Sequence, residues 1–246
     1  MKTPEVITIP NGQFLENCYL VADPASGEAV MIDPGEESSR FLSALGKRGW
    51  SLGAVWLTHA HIDHIMGVGD ITAAHDIPVI LHPDDREIYD NVDRFGAMLG
   101  INVEHQPPPT GTWADGQRTS VGSFTFTVRH TPGHSPGSVS LVGHGMVFGG
   151  DVLFRGSIGR SDLPGGDSEA LMRSIHERML DLPDDTVVHS GHGPETTIGV
   201  ERRTNPFLTG PVRCNRCGFV VKTRPWGCRN PCPNCGTMYP LGDCSD

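Results

Sequence analysis

The chain has 246 residues, enough to bury a large core, and a formal charge of −10. Residues 206–246 hold five basic and two acidic side chains, a formal +3, which leaves −13 on residues 1–205. So acidic a main body speaks against a nucleic-acid partner, and no apolar run nears the roughly 18 residues of a membrane span. Met1-Lys2-Thr3-Pro4-Glu5 lacks a signal-like apolar segment, so a soluble cytoplasmic protein is expected.

Val6–Ile9, Cys18–Val21 and Ala29–Ile32 read as strands, parted by the turn signals Asn11-Gly12 and Asp23-Pro24. Asp33 then emerges at a strand end, where it can support a ligating histidine or close a turn ahead of Pro34. Phe41, Leu42 and Leu45 share one face of a helix over 39–47, which Gly46 or Gly49 can end. Ala54–Leu57 is a buried strand, and it runs into Thr58-His59-Ala60-His61-Ile62-Asp63-His64. A loop at that point lets three imidazoles and a carboxylate converge, a donor set suited to zinc, iron or manganese.

A helix over 67–75 and a strand over 77–81 continue an α/β alternation, which argues for a layered core. Segments 84–88 and 91–99 read as helical, and Pro107-Pro108-Pro109 forces an extended loop. Strands over 119–121 and 124–128 lead to His134 in a Gly-rich turn. A hairpin of 139–142 and 146–148 delivers Asp151, and a strand over 186–189 delivers His192. Between them, 152–167 reads as a loop over the site and 167–180 as one amphipathic helix on Leu171, Ile175, Met179 and Leu180. His75, His82, His105, His130, His144, His176 and His189 lack partner motifs and read as surface or core residues.

The HxHxDH cluster followed by isolated His, Asp and His, with the early Met31-Ile32-Asp33-Pro34-Gly35, resembles the metallo-β-lactamase superfamily over residues 5 to about 207. The resemblance implies a four-layer αββα catalytic domain, residues 1–207. It implies one metal on His59, His61 and His134, a second on Asp63, His64 and His192, and Asp151 bridging both. Two zinc, iron or manganese ions would share a hydroxide that attacks a carbonyl carbon, with Asp63 and Asp151 central to catalysis and Asp33 behind the ligands.

Within the family, residues 151–162 and 191–199 look like the signatures of the short glyoxalase II-like (hydroxyacylglutathione hydrolase-like) subgroup. The expected reaction is therefore hydrolysis of a small thioester or ester, with Arg155 and Arg160 as candidate contacts for a substrate anion. Lactonases of the family usually carry a tyrosine shortly after the bridging aspartate, a region that here holds Phe154, and two-zinc class B β-lactamases usually a cysteine at the Asp151 position. A persulfide dioxygenase would use one iron on the equivalents of His59, His134 and Asp151. A non-enzymatic metal-binding adaptor would have lost ligands, and all are present.

Six of the seven cysteines crowd the last 33 residues. Cys214-Asn215-Arg216-Cys217 and Cys232-Pro233-Asn234-Cys235 are two knuckles that resemble a zinc ribbon or rubredoxin-like module, residues 208–246, holding one zinc or iron. About 35 residues bury too little to fold unaided, so the ion would supply folding energy. The module is expected to cover the catalytic domain or support a homo-oligomer. Phe219, Trp226 and Tyr239 give it apolar surface, and Cys228 and Cys244 are uncommitted.

Overall fold

The computed structural model describes residues 3–98, 100–209, 212–214, 216–221, 232 and 234–237. One sheet carries, in sequential order, β1 (Glu5–Asn11), β2 (Glu16–Ala22), β3 (Glu28–Ile32), β4 (Ser51–Trp56), β5 (Val79–Leu81) and β6 (Gly111–Thr112). The first three strands form an antiparallel meander, and β3 to β6 run parallel. Parallel neighbours need crossover helices. These are α1 (Ser38–Arg48) between β3 and β4, and α2 (Ile62–Ile65) with α3 (Val68–Ala74) between β4 and β5. Next come α4 (Arg86–Asp90) and α5 (Val92–Met98).

The second sheet takes β7 (Arg118–Val121), β8 (Phe124–His130), β9 (Val139–Gly143) and β10 (Met146–Gly150). A small hairpin, β11 (Leu153–Phe154) with β12 (Ser157–Ile158), and helix α6 (Ser168–Ser174) intervene before β13 (Val187–Ser190) and β14 (Thr196–Thr197). The strand order is β14-β13-β10-β9-β8-β7, with β13 parallel to β10. Helices α7 (Ile198–Thr204) and α8 (Pro206–Thr209) follow.

Three apolar clusters define four layers. On β2 and β3, Leu20 and Met31 face one way and pack with Phe41, Leu45, Val68 and Ile71 of the helices. Their neighbours Tyr19, Val21, Val30 and Ile32 face the other way, onto Phe126, Val128, Leu141 and Phe148 of the second sheet. Val147 and Val188 on that sheet's far side meet Leu171, Met172, Ile175 and Met179. The period-2 alternation of strand side chains thus feeds two interfaces from one strand. Every residue of β2 is buried for that reason. The architecture is the αββα fold expected from the resemblance.

Helix α1 ends at Gly49, one of the two glycines expected to stop it, in left-handed cap geometry with φ +65°. Other local expectations change. The single helix expected over 167–180 is α6 followed by a π-helical turn, Ile175–Met179. Apolar periodicity reports which side chains face the core, and Ile175 and Met179 do, but it does not report hydrogen-bond register. The 152–167 segment holds the β11–β12 hairpin, closed by Gly156 at φ +70°. Asp63 and His64 sit on the one-turn helix α2 and not on the loop itself.

In the C-terminal segment, Val212–Arg213 pairs with Val220–Val221 in antiparallel fashion. Trp226, Cys228, Tyr239 and Cys244 lie outside the described residues. Among the described residues, no helix is long and apolar enough to cross a membrane.

Candidate metal centre

Asp33 follows β3, His59 and His61 follow β4, His134 follows β8, Asp151 follows β10 and His192 follows β13. Carboxyl ends of strands from both sheets therefore supply one rim, where the side chains meet. His134 Nε2 lies 3.2 Å from His59 Nε2 and 2.7 Å from His61 Nδ1. On the other side, Asp63 Oδ2 is 3.1 Å from His192 Nε2 and 3.7 Å from His64 Nε2. Asp151 stands between the groups. Its Oδ2 is 3.4 Å from His134 Nε2 and 3.5 Å from His192 Nε2, and its Oδ1 is 3.5 Å from His64 Nε2.

Hydrogen bonds behind the rings fix which nitrogen faces the centre. The Thr58 amide donates to Asp33 Oδ1 at 2.7 Å and the Thr58 hydroxyl to Asp33 Oδ2 at 2.6 Å. With its proton spent on Asp33, that hydroxyl accepts from His59 Nδ1 at 3.0 Å, which leaves the Nε2 lone pair of His59 for the centre. His64 Nδ1 donates to Asp33 Oδ2 at 3.1 Å, His134 Nδ1 to the Arg160 carbonyl at 2.7 Å, and His192 Nδ1 to the Phe14 carbonyl at 3.1 Å. Four imidazoles are thus oriented by outer partners, as metal-ligating histidines commonly are. Asp33 adopts φ +52°, a strained value that its three acceptor contacts hold in place.

Thr58 was silent in the sequence, as was Asp85. The Asp85 carboxylate is fully buried and accepts from Ala60 N at 2.9 Å, Ser135 Oγ at 2.8 Å and Gly137 N at 2.6 Å. It ties the His59–His61 loop to the His134 loop.

Several features fit a pair of cations. Ligand atoms bonded at about 2.0–2.1 Å to one tetrahedral ion stand about 3.3 Å apart, close to most of the spacings above. His64 Nε2 and Asp151 Oδ1 are buried without a hydrogen-bond partner. A Cβ on Gly191 would overlap both Asp151 Oδ1 and His64, so only glycine permits this cradle. Burial, and then neighbouring imidazoles, lower the pKa of His59 well below the usual value and that of His61 to about 3, so both present neutral lone pairs. Burial would lower His64 too, but Asp63, Asp151 and Asp33 outweigh it and raise its pKa, so the carboxylates favour positive charge here.

Asp33→Ala is expected to lower metal affinity about 10- to 100-fold, because His64 and Thr58 lose their common acceptor. Metal titration into apo protein measures it, and an unchanged affinity would show the bonds to be incidental.

A cavity of about 480 Å³ opens over the cluster, and Arg160 lines it while Arg155 does not. The Arg160 guanidinium makes two bonds to Asp162, at 2.7 and 2.8 Å, so its fork is already occupied. His189 stacks on Phe148 at 4.8 Å in the core, and His82 stacks on His130 at 4.1 Å with Asp84 nearby, away from the centre.

In the tail, Cys214, Cys217, Cys232 and Cys235 bring their sulfurs together. Cys214 and Cys235 are 3.7 Å apart and Cys217 and Cys232 are 3.6 Å apart. The two knuckles repeat one pattern. Cys214 N bonds Phe219 O and Gly218 N bonds Cys214 O; Cys232 N bonds Thr237 O and Gly236 N bonds Cys232 O. Gly218 and Gly236 take φ of +72° and +70°. Four thiolates at about 2.3 Å from one ion would stand about 3.8 Å apart, which these pairs match.

Comparison with known proteins places the chain among relatives. Residues 11–192 match the family described as the metallo-beta-lactamase superfamily. The chain is 41% identical over 207 residues to the probable metallo-hydrolase YqgX of Bacillus subtilis, covering 82% of this chain and 96% of that protein. It is 34% identical over 204 residues to hydroxyacylglutathione hydrolase GloC of Haemophilus influenzae, covering 81% and 96%. Among solved structures it resembles the BLEG-1 B3 metallo-beta-lactamase, with TM-score 0.79, 41% identity and coverage of 84% of this chain and 100% of that one. It also resembles TTHA1623 in a di-iron-bound form, with TM-score 0.77, 43% identity and coverage of 82% and 100%.

Proposed function

The chain belongs to the metallo-β-lactamase superfamily, and from that membership we propose that it is a dinuclear metallo-hydrolase that cleaves a small thioester or ester. The observation that carries this reading is Asp151, whose two carboxylate oxygens stand between the His59–His61–His134 group and the Asp63–His64–His192 group. A carboxylate so placed can hold two ions side by side. Two bound divalent ions supply a water with a pKa brought toward about 7 and a polarised carbonyl.

The protein's own part is orientation. Asp33, through Thr58 and His64, and the carbonyls of Arg160 and Phe14 keep four imidazoles turned inward. In the overall reaction, water adds to the carbonyl carbon, the C–S or C–O bond breaks, and the thiol or alcohol leaves with a proton. No side-chain nucleophile is required. The name of GloC supports a thioester, and the di-iron TTHA1623 supports two ions at this rim.

A third ion, zinc or iron, is assigned on the same reading to Cys214, Cys217, Cys232 and Cys235, in a separate folding unit over residues 208–246. The sulfur spacings and the repeated knuckle hydrogen bonds support it.

Metal analysis of the full chain tests both assignments together with thioesterase turnover. Three ions per chain are expected, with one lost in Cys232→Ser and turnover lost on chelation and restored by divalent metal. A lone iron at the His/Asp rim together with oxygen uptake would replace the hydrolase with a persulfide dioxygenase.

A further inference from the structure

The lining of the cavity says more about the substrate than the metal ligands do. Five of its polar side chains, His61, Asp63, His134, Asp151 and His192, belong to the candidate metal centre. Beyond these, Ser157 and Arg160 are the only polar side chains that line it among the described residues. Arg160 is already bonded twice to Asp162, so the pair offers the cavity little net charge.

The remaining walls are apolar. Helix α5 turns Val92 and Phe95, three residues apart and hence neighbours on one face, toward the cavity, with Met98 at its rim. Beside His192, Phe14 and the β11–β12 hairpin residues Phe154 and Ile158 form a further wall. Phe154 lies 6.2 Å from the His192 ring, so this wall adjoins the ligands directly. Phe14 is 41% and Met98 72% exposed, leaving large apolar side chains at the mouth that a bound apolar group would cover.

From this lining we infer that the substrate is an uncharged ester or thioester with an apolar acyl chain, seated between α5 and the β11–β12 hairpin. The inference rests on the hydrolase reading above and narrows it. A glutathione carrier brings two carboxylates and an ammonium group, and outside the metal centre the described walls offer them one cationic side chain, Arg160, which is shared with Asp162. Burying such charges unpaired is costly. An apolar chain, in contrast, gains from each methylene taken out of water. The cavity volume of about 480 Å³ lies within the usual range for small-molecule sites.

The test is a matched series on the metal-loaded full chain. N-Acetylcysteamine thioesters of acetate, butyrate, hexanoate and octanoate are compared by kcat/KM, alongside lactoyl thioesters of N-acetylcysteamine and of glutathione. The expected result is a rise of up to about fourfold per methylene until the cavity fills, with lactoylglutathione below its neutral counterpart. Met98→Glu, at an exposed position, should flatten the rise. A flat or falling series with lactoylglutathione as the best substrate would overturn the inference.

Calorimetric titration with the carboxylic acid products separates this inference from the reading beneath it. No turnover, with affinity that still rises with chain length, would sink the hydrolase reading and leave the apolar site standing. No turnover with affinity independent of length would overturn the inference as well.

Discussion

Asp151→Ala is expected to release both ions of the rim and to reduce hydrolytic turnover on the order of 10³-fold or more. Each ion is asked to stabilise developing charge by several kcal/mol, and every 1.36 kcal/mol is a factor of ten in rate. The side chain is suited to this test because it is the carboxylate that approaches both groups, within 3.4–3.5 Å of His134, His64 and His192. Its replacement leaves an internal void beside Gly191 but removes no main-chain bond. Folding should survive, and a cooperative melt of the variant would establish that. Metal content and kcat are then read on the same sample. Two retained ions with turnover within tenfold of the parent would refute the bridging role.

That these side chains share one place was legible in the sequence, since each follows an apolar strand-like run and sits by glycine or in the compact HxHxDH cluster. That 18–21 and 29–32 are strands was equally legible, and the two-residue period of a strand then divides Leu20 and Met31 from Tyr19, Val21 and Ile32 between two core interfaces. The supporting contacts were not. Thr58 precedes the cluster with nothing to distinguish it from an ordinary loop threonine, and its role exists only because Asp33 is folded against it. The two-residue strands β6, β11, β12 and β14 are likewise defined by the strands they pair with, and the π-helical turn at Ile175–Met179 by which local carbonyl accepts, as in Leu180 N to Ile175 O. They are too short to impose a period. Arg155 and Arg160 looked alike in the sequence, and the hairpin places only Arg160 at the cavity.

Asp85 gives the sharpest case of a residue hidden from the sequence, where Asp84-Asp85-Arg86 reads simply as a helix start. In the fold its carboxylate accepts from Ala60, between two candidate ligands, and from Ser135 and Gly137, just past His134. Asp85→Ala strands three donors in a buried site, each worth about 1–3 kcal/mol when unsatisfied. Because they relax together, a net loss of about 3–5 kcal/mol is expected, the size seen when a buried charge network is broken. For a chain of this length that corresponds to a fall of roughly 10 °C in Tm. Melting the metal-free protein isolates this effect from metal binding.

A second measurement decides whether Asp85 also positions ligands. If it holds the His59–His61 loop against the His134 loop, metal affinity must fall about 10- to 100-fold in Asp85→Ala. Asp85→Asn should fall less, because it keeps one acceptor oxygen of the right shape. A lower Tm with unchanged metal affinity would make Asp85 a staple of the fold and nothing more. Loss of both, graded from Asn to Ala, would show that one buried carboxylate sets the distance between two ligand-bearing loops.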